Sequence, residues 1–248
     1  MDTSSEVLFG EFASVIHEST HRANSSNSGF GRLAFFGGND LWVYIWPFQV
    51  FRSEEIVRVM PEDATNKLYR FDDYLSPGNL VSANRKGIYG LMEEYSAYNS
   101  TTLFGLTAAE TAMKKEDTAL AIRFIQEVNE SFPAYYEFRL YMAWYQETAA
   151  MFYPETWEAM EADTGLRASF TLLDNSCTAT VDRLLKTGGI IQQQMHTNPL
   201  EGNDRVYGEY PGLQLHYKEN WIAAFRLETA AAEKVAIRSP AEPDNRRN

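Results

Sequence analysis

A chain of 248 residues with 44% hydrophobic and 14% aromatic side chains has enough apolar material for one large packed domain or two small ones, which excludes a disordered chain. Its 34 acidic and 22 basic side chains give a net charge of -12, with no basic cluster beyond the Arg246-Arg247 pair, so nucleic acid is not an expected partner. The single cysteine, Cys177, rules out an internal disulfide framework and any site built from several thiolates.

Residues 3 to 24 are expected to form the first helix, opened by Thr3 and Glu6 as a capping box and closed at Asn24 before the polar run Ser25 to Gly29. Within it lies His17-Glu18-Ser19-Thr20-His21, a His-Glu-x-x-His pattern that chance places in roughly one percent of chains this long or fewer. Residues four apart on a helix lie one above the other, so His17 and His21 can offer two imidazoles to one ion. Glu18 then stands beside the ion, where a carboxylate can take a proton from water. At about 100° per residue, Leu8, Phe9, Phe12, Val15 and Ile16 gather on one side, while the histidines fall on the other with Gly10, Ala13 and Ser14. A structural core histidine would lie on the apolar side, and these do not.

Next, residues 32 to 46 carry two aromatic, β-branched runs around Gly37-Gly38-Asn39-Asp40, which reads as a β-hairpin ended by Pro47. Such a hairpin covers one side of a core; its edge could also pair with an extended peptide by strand addition. A short helix over 52 to 60 stops at Pro61, and Glu62 to Asn84 is a polar, turn-rich connection that could wall a cleft.

From Arg85 to about Ser100 the chain is helical again. Ile88, Leu91, Met92 and Tyr95 cluster on one face, Glu93 points nearly opposite them, and Glu94 lies at the edge of the buried side near Gly90 and Tyr98. A buried carboxylate needs a compensating arginine, hydrogen-bond set or metal. Beyond this point the pattern gives helices over roughly 107–115, 116–131, 133–152, 154–163, 166–187 and 217–236, broken at Pro133, Pro154, Gly165 and Gly188-Gly189. The aromatic stretch Tyr135 to Tyr145 reads as core, with a substrate-facing role as the minor alternative. Residues 197 to 212 form a long loop, and the tail from Ser239 is expected to be disordered. The expected fold class is α+β and predominantly helical. Residues 1–106 hold the motif helix, hairpin and Glu94 helix; residues 107–238 form a helical part packed on them in one compact unit, and 239–248 are a tail. No apolar run reaches the length of a membrane span, and Asp2 to Glu6 lack the basic and apolar parts of a signal peptide. The expectation is a soluble protein whose compartment stays open, since an export segment ahead of the motif helix could have been removed. The oligomeric state also stays open.

These motifs resemble the zincin metallopeptidases, and more narrowly the gluzincins, in which two histidines from His-Glu-x-x-His are joined by a glutamate from a later helix. That helix commonly reads Glu-x-x-Ala, as Glu94-Tyr95-Ser96-Ala97 does here. The resemblance covers two short segments and assigns no particular peptidase family. It implies a zincin-like fold with the active-site helix followed by a small sheet, and zinc held by His17, His21 and Glu94. It also implies Glu18 as general base in the hydrolysis of a peptide or protein substrate. A second donor must meet the developing oxyanion, for which Tyr98, Tyr210, His216 and Tyr217 are candidates. His196 and His216 each stand alone and read as structural. Ser19 and Arg22 occupy positions where the family usually has apolar and uncharged residues. Together with the aromatic excess, they set beside the peptidase a second reading: a metal-binding or scaffold protein without turnover.

Overall fold

The computed structural model describes residues 3–62, 64–65, 68–78, 81–128, 131–195 and 221–236, and the side chains of all of these except 3–10 and 192–195. The chain opens with helix α1 (Thr3–Asn27), then strands β1 (Leu33–Gly38) and β2 (Leu41–Ile45). A 3-10 helix (Ser53–Arg58) and two single turns, α2 (Phe71–Tyr74) and α3 (Ser82–Arg85), lead to α4 (Ile88–Lys114). Then come α5 (Thr118–Val128), α6 (Ala134–Phe152), α7 (Pro154–Ala162), α8 (Thr164–Met195), a helical stretch at 221–225 and α9 (Thr229–Ala236). The fold is therefore predominantly helical with one small antiparallel sheet. No helix among the described residues is long and apolar enough to cross a membrane.

The hairpin forms where the turn chemistry puts it. Asn39 and Asp40 both take positive φ (48° and 63°), the conformation a two-residue hairpin loop requires and these two residue types tolerate. Strand pairing runs from Leu33 opposite Ile45 to Phe36 opposite Trp42, with a bulge before Gly38. Phe35, Val43 and Ile45 are buried on one face against the main core. The outer edge of β1 is occupied by side chains. Ser28 Oγ accepts from the Ala34 N–H, Asn24 Oδ1 accepts from the Phe36 N–H at 2.9 Å, and Ser96 Oγ donates to the Phe36 carbonyl. The β1 edge of the hairpin is thus closed to strand addition by side chains from α1, its following residue Ser28 and α4.

Two longer helices than expected follow from tertiary packing. α4 continues through residues 100–107, where Leu106 and Ala109 pack into a cluster with α5 and α8, and Ser100, Thr101, Thr102, Thr107 and Thr111 each donate a hydroxyl to the carbonyl four residues back. This satisfies the hydroxyls without breaking the ladder. α8 runs past Gly188-Gly189 although each glycine costs about 1 kcal/mol relative to alanine. Its Leu184 and Ile191 are buried with Leu106 and Ala109 of α4 and Ile125 of α5, and that packing outweighs propensity. In contrast, the stretch expected as one helix over 217–236 is interrupted at 226–228 within its described part. Residues 52–60 form a 3-10 rather than an α-helix.

The main core lies between the hairpin, α4, α6 and α8. α6 runs through its centre, with Phe138, Tyr141, Trp144 and Tyr145 all fully buried, so the aromatic stretch is core. The start of α4 is fixed by two glycines. Gly87 has φ +56°, and a Cβ on it would lie 2.2 Å from the Phe51 carbonyl oxygen; a Cβ on Gly90 would lie 2.0 Å from that of Ala83. The capping box expected at Thr3 and Glu6, the loop 197–212 and the tail from Ser239 lie outside the described residues and side chains.

Candidate metal centre

α1 packs against α4 along a seam that is apolar at one end, where Phe12 meets Phe104 with ring centroids 4.5 Å apart, and polar from His17 to Asn24. Thr20 and Asn24 are buried, the latter also donating to Ser96 Oγ, while His17 and His21 are half-buried on the same side. Val15, expected on the buried side, is 57% exposed. The helix is rotated so that its histidine side, built of small neighbours such as Ala13, can approach α4 closely.

The seam brings together three donor atoms. His17 Nε2 and His21 Nε2 are 3.0 Å apart, and Glu94 Oε2 lies 3.2 Å from the first and 3.4 Å from the second. The tetrahedral coordination shell of a zinc ion with ligands at about 2.0–2.1 Å has edges of about 3.3–3.4 Å, so this triangle is nearly the face of one. Two imidazole nitrogens and one carboxylate oxygen are also the donor types zinc takes. His17, His21 and Glu94 thus fit the ion that the motif implies.

Each of the three side chains has a neighbour behind it. Nδ1 of His21 meets Glu93 Oε1 at 3.3 Å, and Glu93 in turn accepts a hydrogen bond from Lys86. Glu93 therefore does not point away from the protein as the helical wheel of α4 alone suggests, because α1 covers that side. Carboxylates that orient a ligating imidazole through its far nitrogen are common at metal sites. The Tyr74 hydroxyl donates to Glu94 Oε2 at 3.1 Å and lies 3.3 Å from the Tyr98 hydroxyl. Tyr98 packs its ring edge-on against His17, with centroids 4.5 Å apart. Arg70 sits over the Tyr98 ring, 4.5 Å from its centroid, and its guanidinium donates to Oε2 of the fully buried Glu137 at 3.0 Å. Glu137 Oε1 accepts from the Tyr69 N–H at 2.7 Å.

The electrostatics of the cluster favour a cation. Burial works to lower the His21 pKa, but hydrogen bonds and charge from Glu93 and Glu94 outweigh it and raise it to about 10. Burial works to raise the Glu94 pKa, but His17 and His21 outweigh it and hold it at about 2. Glu93 is likewise held below the usual carboxylate range, its burial outweighed by His21 and Lys86. Burial and the charge of Glu94 push the Tyr74 phenol far up, so it keeps its proton.

Glu18 lies one position further round α1, exposed to solvent, with no hydrogen bond among the described residues. Tyr98 is beside the cluster. Tyr210, His216, Tyr217 and His196 lie outside the described residues. Sequence reasoning missed Arg70, Tyr74 and Glu137, which arrive from a turn-rich connection and from the core helix. It set Glu93 aside, although the adjacent pair Glu93-Glu94 was its signal. No family model matches the chain, and neither a curated protein nor a solved structure does.

Proposed function

We propose that this protein is a zinc-dependent peptidase of zincin-like, gluzincin-type design, with His17, His21 and Glu94 holding the metal and Glu18 as general base. One observation carries the reading: three donor atoms from two helices, with Glu94 lying 73 residues beyond His21 and 77 beyond His17, converge at 3.0–3.4 Å while an exposed carboxylate sits in the same motif. A zinc ion with three protein ligands supplies a Lewis acid that makes water nucleophilic near neutral pH. The protein's part is then proton handling and positioning. Glu18 is exposed to solvent and placed to accept the proton of the attacking water and return it to the leaving amine of a cleaved peptide. Glu93 orients His21, and the Tyr74 hydroxyl orients Glu94.

The second reading, a metal-binding or scaffold protein without turnover, is favoured by the shape of the surface. A cleft of about 690 Å³ lies between residues 48–51 and the α6–α7 junction, and one of about 410 Å³ lies between α1, α4 and the hairpin. Neither has His17, Glu18, His21 or Glu94 in its wall.

Metal analysis of protein purified without added metal tests the first half of the proposal; one zinc per chain, lost in His17→Ala, is expected. Glu18→Gln tests the second. The variant should keep its zinc and lose hydrolysis of a mixed peptide library followed by mass spectrometry. A wild type that carries zinc and leaves the library and unfolded proteins intact establishes the scaffold reading, and a metal-free wild type refutes both.

A further inference from the structure

We infer that Tyr98 and Tyr74, with the Arg70 guanidinium over the Tyr98 ring, form a one-way hydrogen-bond relay that fixes Oε2 of Glu94 as the oxygen presented to the metal, with Tyr74 as the positioning residue. The inference rests on the metal-centre reading and adds to it the part of the chain that sets the ligand.

The direction of the relay follows from donor and acceptor chemistry alone. A guanidinium only donates, an ionised carboxylate only accepts, and each phenol has a single proton. Tyr74 is hydrogen-bonded to Glu94 Oε2 at 3.1 Å, so its proton lies there. Its contact with Tyr98 at 3.3 Å must then be one in which Tyr98 donates. With that proton spent, the Tyr98 oxygen has only lone pairs left to offer, and the Arg70 guanidinium lies over its ring. Both phenol protons therefore point toward Glu94, and the positive charge of Arg70 polarises the row in the same sense. The far end is anchored by Glu137, which is fully buried and holds both the Arg70 guanidinium and the Tyr69 N–H.

Two features separate this from an ordinary hydrogen bond to a buried acid. Oε2, the oxygen that faces both histidines, is also the one Tyr74 addresses; Oε1 has no hydrogen bond among the described residues. A carboxylate is close to two-fold symmetric about its last torsion, so without an asymmetric donor either oxygen, or both, can turn to the ion. Tyr74 breaks that symmetry. Tyr98 also has its single proton committed within the relay, which removes it from the donors available to an oxyanion and makes it a positioning residue as well.

The test uses the full chain, stripped of metal and titrated with Zn²⁺ and separately with Co²⁺, whose visible absorption reports coordination geometry. Tyr74→Phe keeps the ring that packs on Phe138 and removes only the donor. Expected are a zinc affinity roughly ten-fold weaker, in the range for partners of metal ligands, and a cobalt spectrum of lower intensity as Glu94 chelates through both oxygens. Tyr98→Phe cuts the same relay without touching Glu94. It should shift both readouts in the same direction by less, and the double variant should fall no further than Tyr74→Phe alone. If Tyr74→Phe loses its helical circular dichroism, Tyr98→Phe alone decides by the same two readouts. A wild type that binds neither metal overturns the metal centre and the relay together. A wild type that binds both, with unchanged affinity and cobalt spectrum in the deciding variant, overturns the relay and leaves the metal centre standing.

Discussion

Glu137→Gln is a near-isosteric change whose cost is calculable. The carboxylate is fully buried on α6 and has two partners: the Tyr69 N–H at 2.7 Å on Oε1 and the Arg70 guanidinium at 3.0 Å on Oε2. A glutamine can still accept from Tyr69, so that bond survives. At the other oxygen the substitution places an amide N–H₂ against a guanidinium, two donors facing each other. The Arg70 side chain, only 10% exposed, loses the carboxylate paired with it in the core. Breaking one side of a buried pair costs about 3–5 kcal/mol. For a chain of this size each kcal/mol moves the melting temperature by about 2–4 °C, so a fall of roughly 6–20 °C is expected. Differential scanning calorimetry of Glu137→Gln, Arg70→Met and the double variant gives the coupling directly. Each single change should be severe, and the double should recover a large part of the loss because no stranded charge remains. A melting temperature within 2 °C of wild type for Glu137→Gln, or strict additivity in the cycle, would show that the pair is not closed as described.

Three further outcomes are expected. Glu93→Gln should keep the zinc stoichiometry but weaken affinity roughly ten-fold in competition with a chromophoric chelator, since His21 loses the carboxylate on Nδ1. Gly90→Ala should gain about 1 kcal/mol from helix propensity, yet the new Cβ meets the Ala83 carbonyl at 2.0 Å. The clash prevails, so the melting temperature falls and zinc affinity falls with it, Gly90 being one turn before Glu94. Arg183, hydrogen-bonded to Glu110, holds that carboxyl below its ordinary 4.5. The contribution of this pair to stability is therefore complete above pH 4.5 and lost as pH falls below that value. Urea midpoints at pH 6 and pH 3.5 should accordingly diverge less in Glu110→Gln than in wild type.

What the sequence revealed of the site depended on locality. His17 and His21 are four residues apart on one helix, so their common face is fixed by helix geometry. Glu94 could be preferred over Glu93 from the phase of α4 relative to its apolar residues. That same phase misjudged Glu93, because a wheel drawn for one helix has no knowledge of a second helix lying on its polar side. Tyr74 and Arg70 were invisible for a related reason: they sit in a polar stretch with no periodicity, and only the fold puts them beside α4. The hairpin was legible from Asn39-Asp40, where turn chemistry is strictly local. The breaks expected between Ser100 and Thr107 and at Gly188-Gly189 do not occur, because contacts distant in sequence decide where α4 and α8 end.

The sealed outer edge of β1 has a consequence for what the protein can recognise and what it avoids. A two-stranded ribbon is ordinarily a template on which foreign chains polymerise, and one remedy is to cover its open rungs. Here three short polar side chains, Ser28, Asn24 and Ser96, stand in for a neighbouring strand at Ala34 and Phe36. The ribbon is protected on that side from growing into a fibril. By the same token, a polypeptide arriving there finds no main-chain ladder to complete. At this edge, contact with another chain is left to side chains alone.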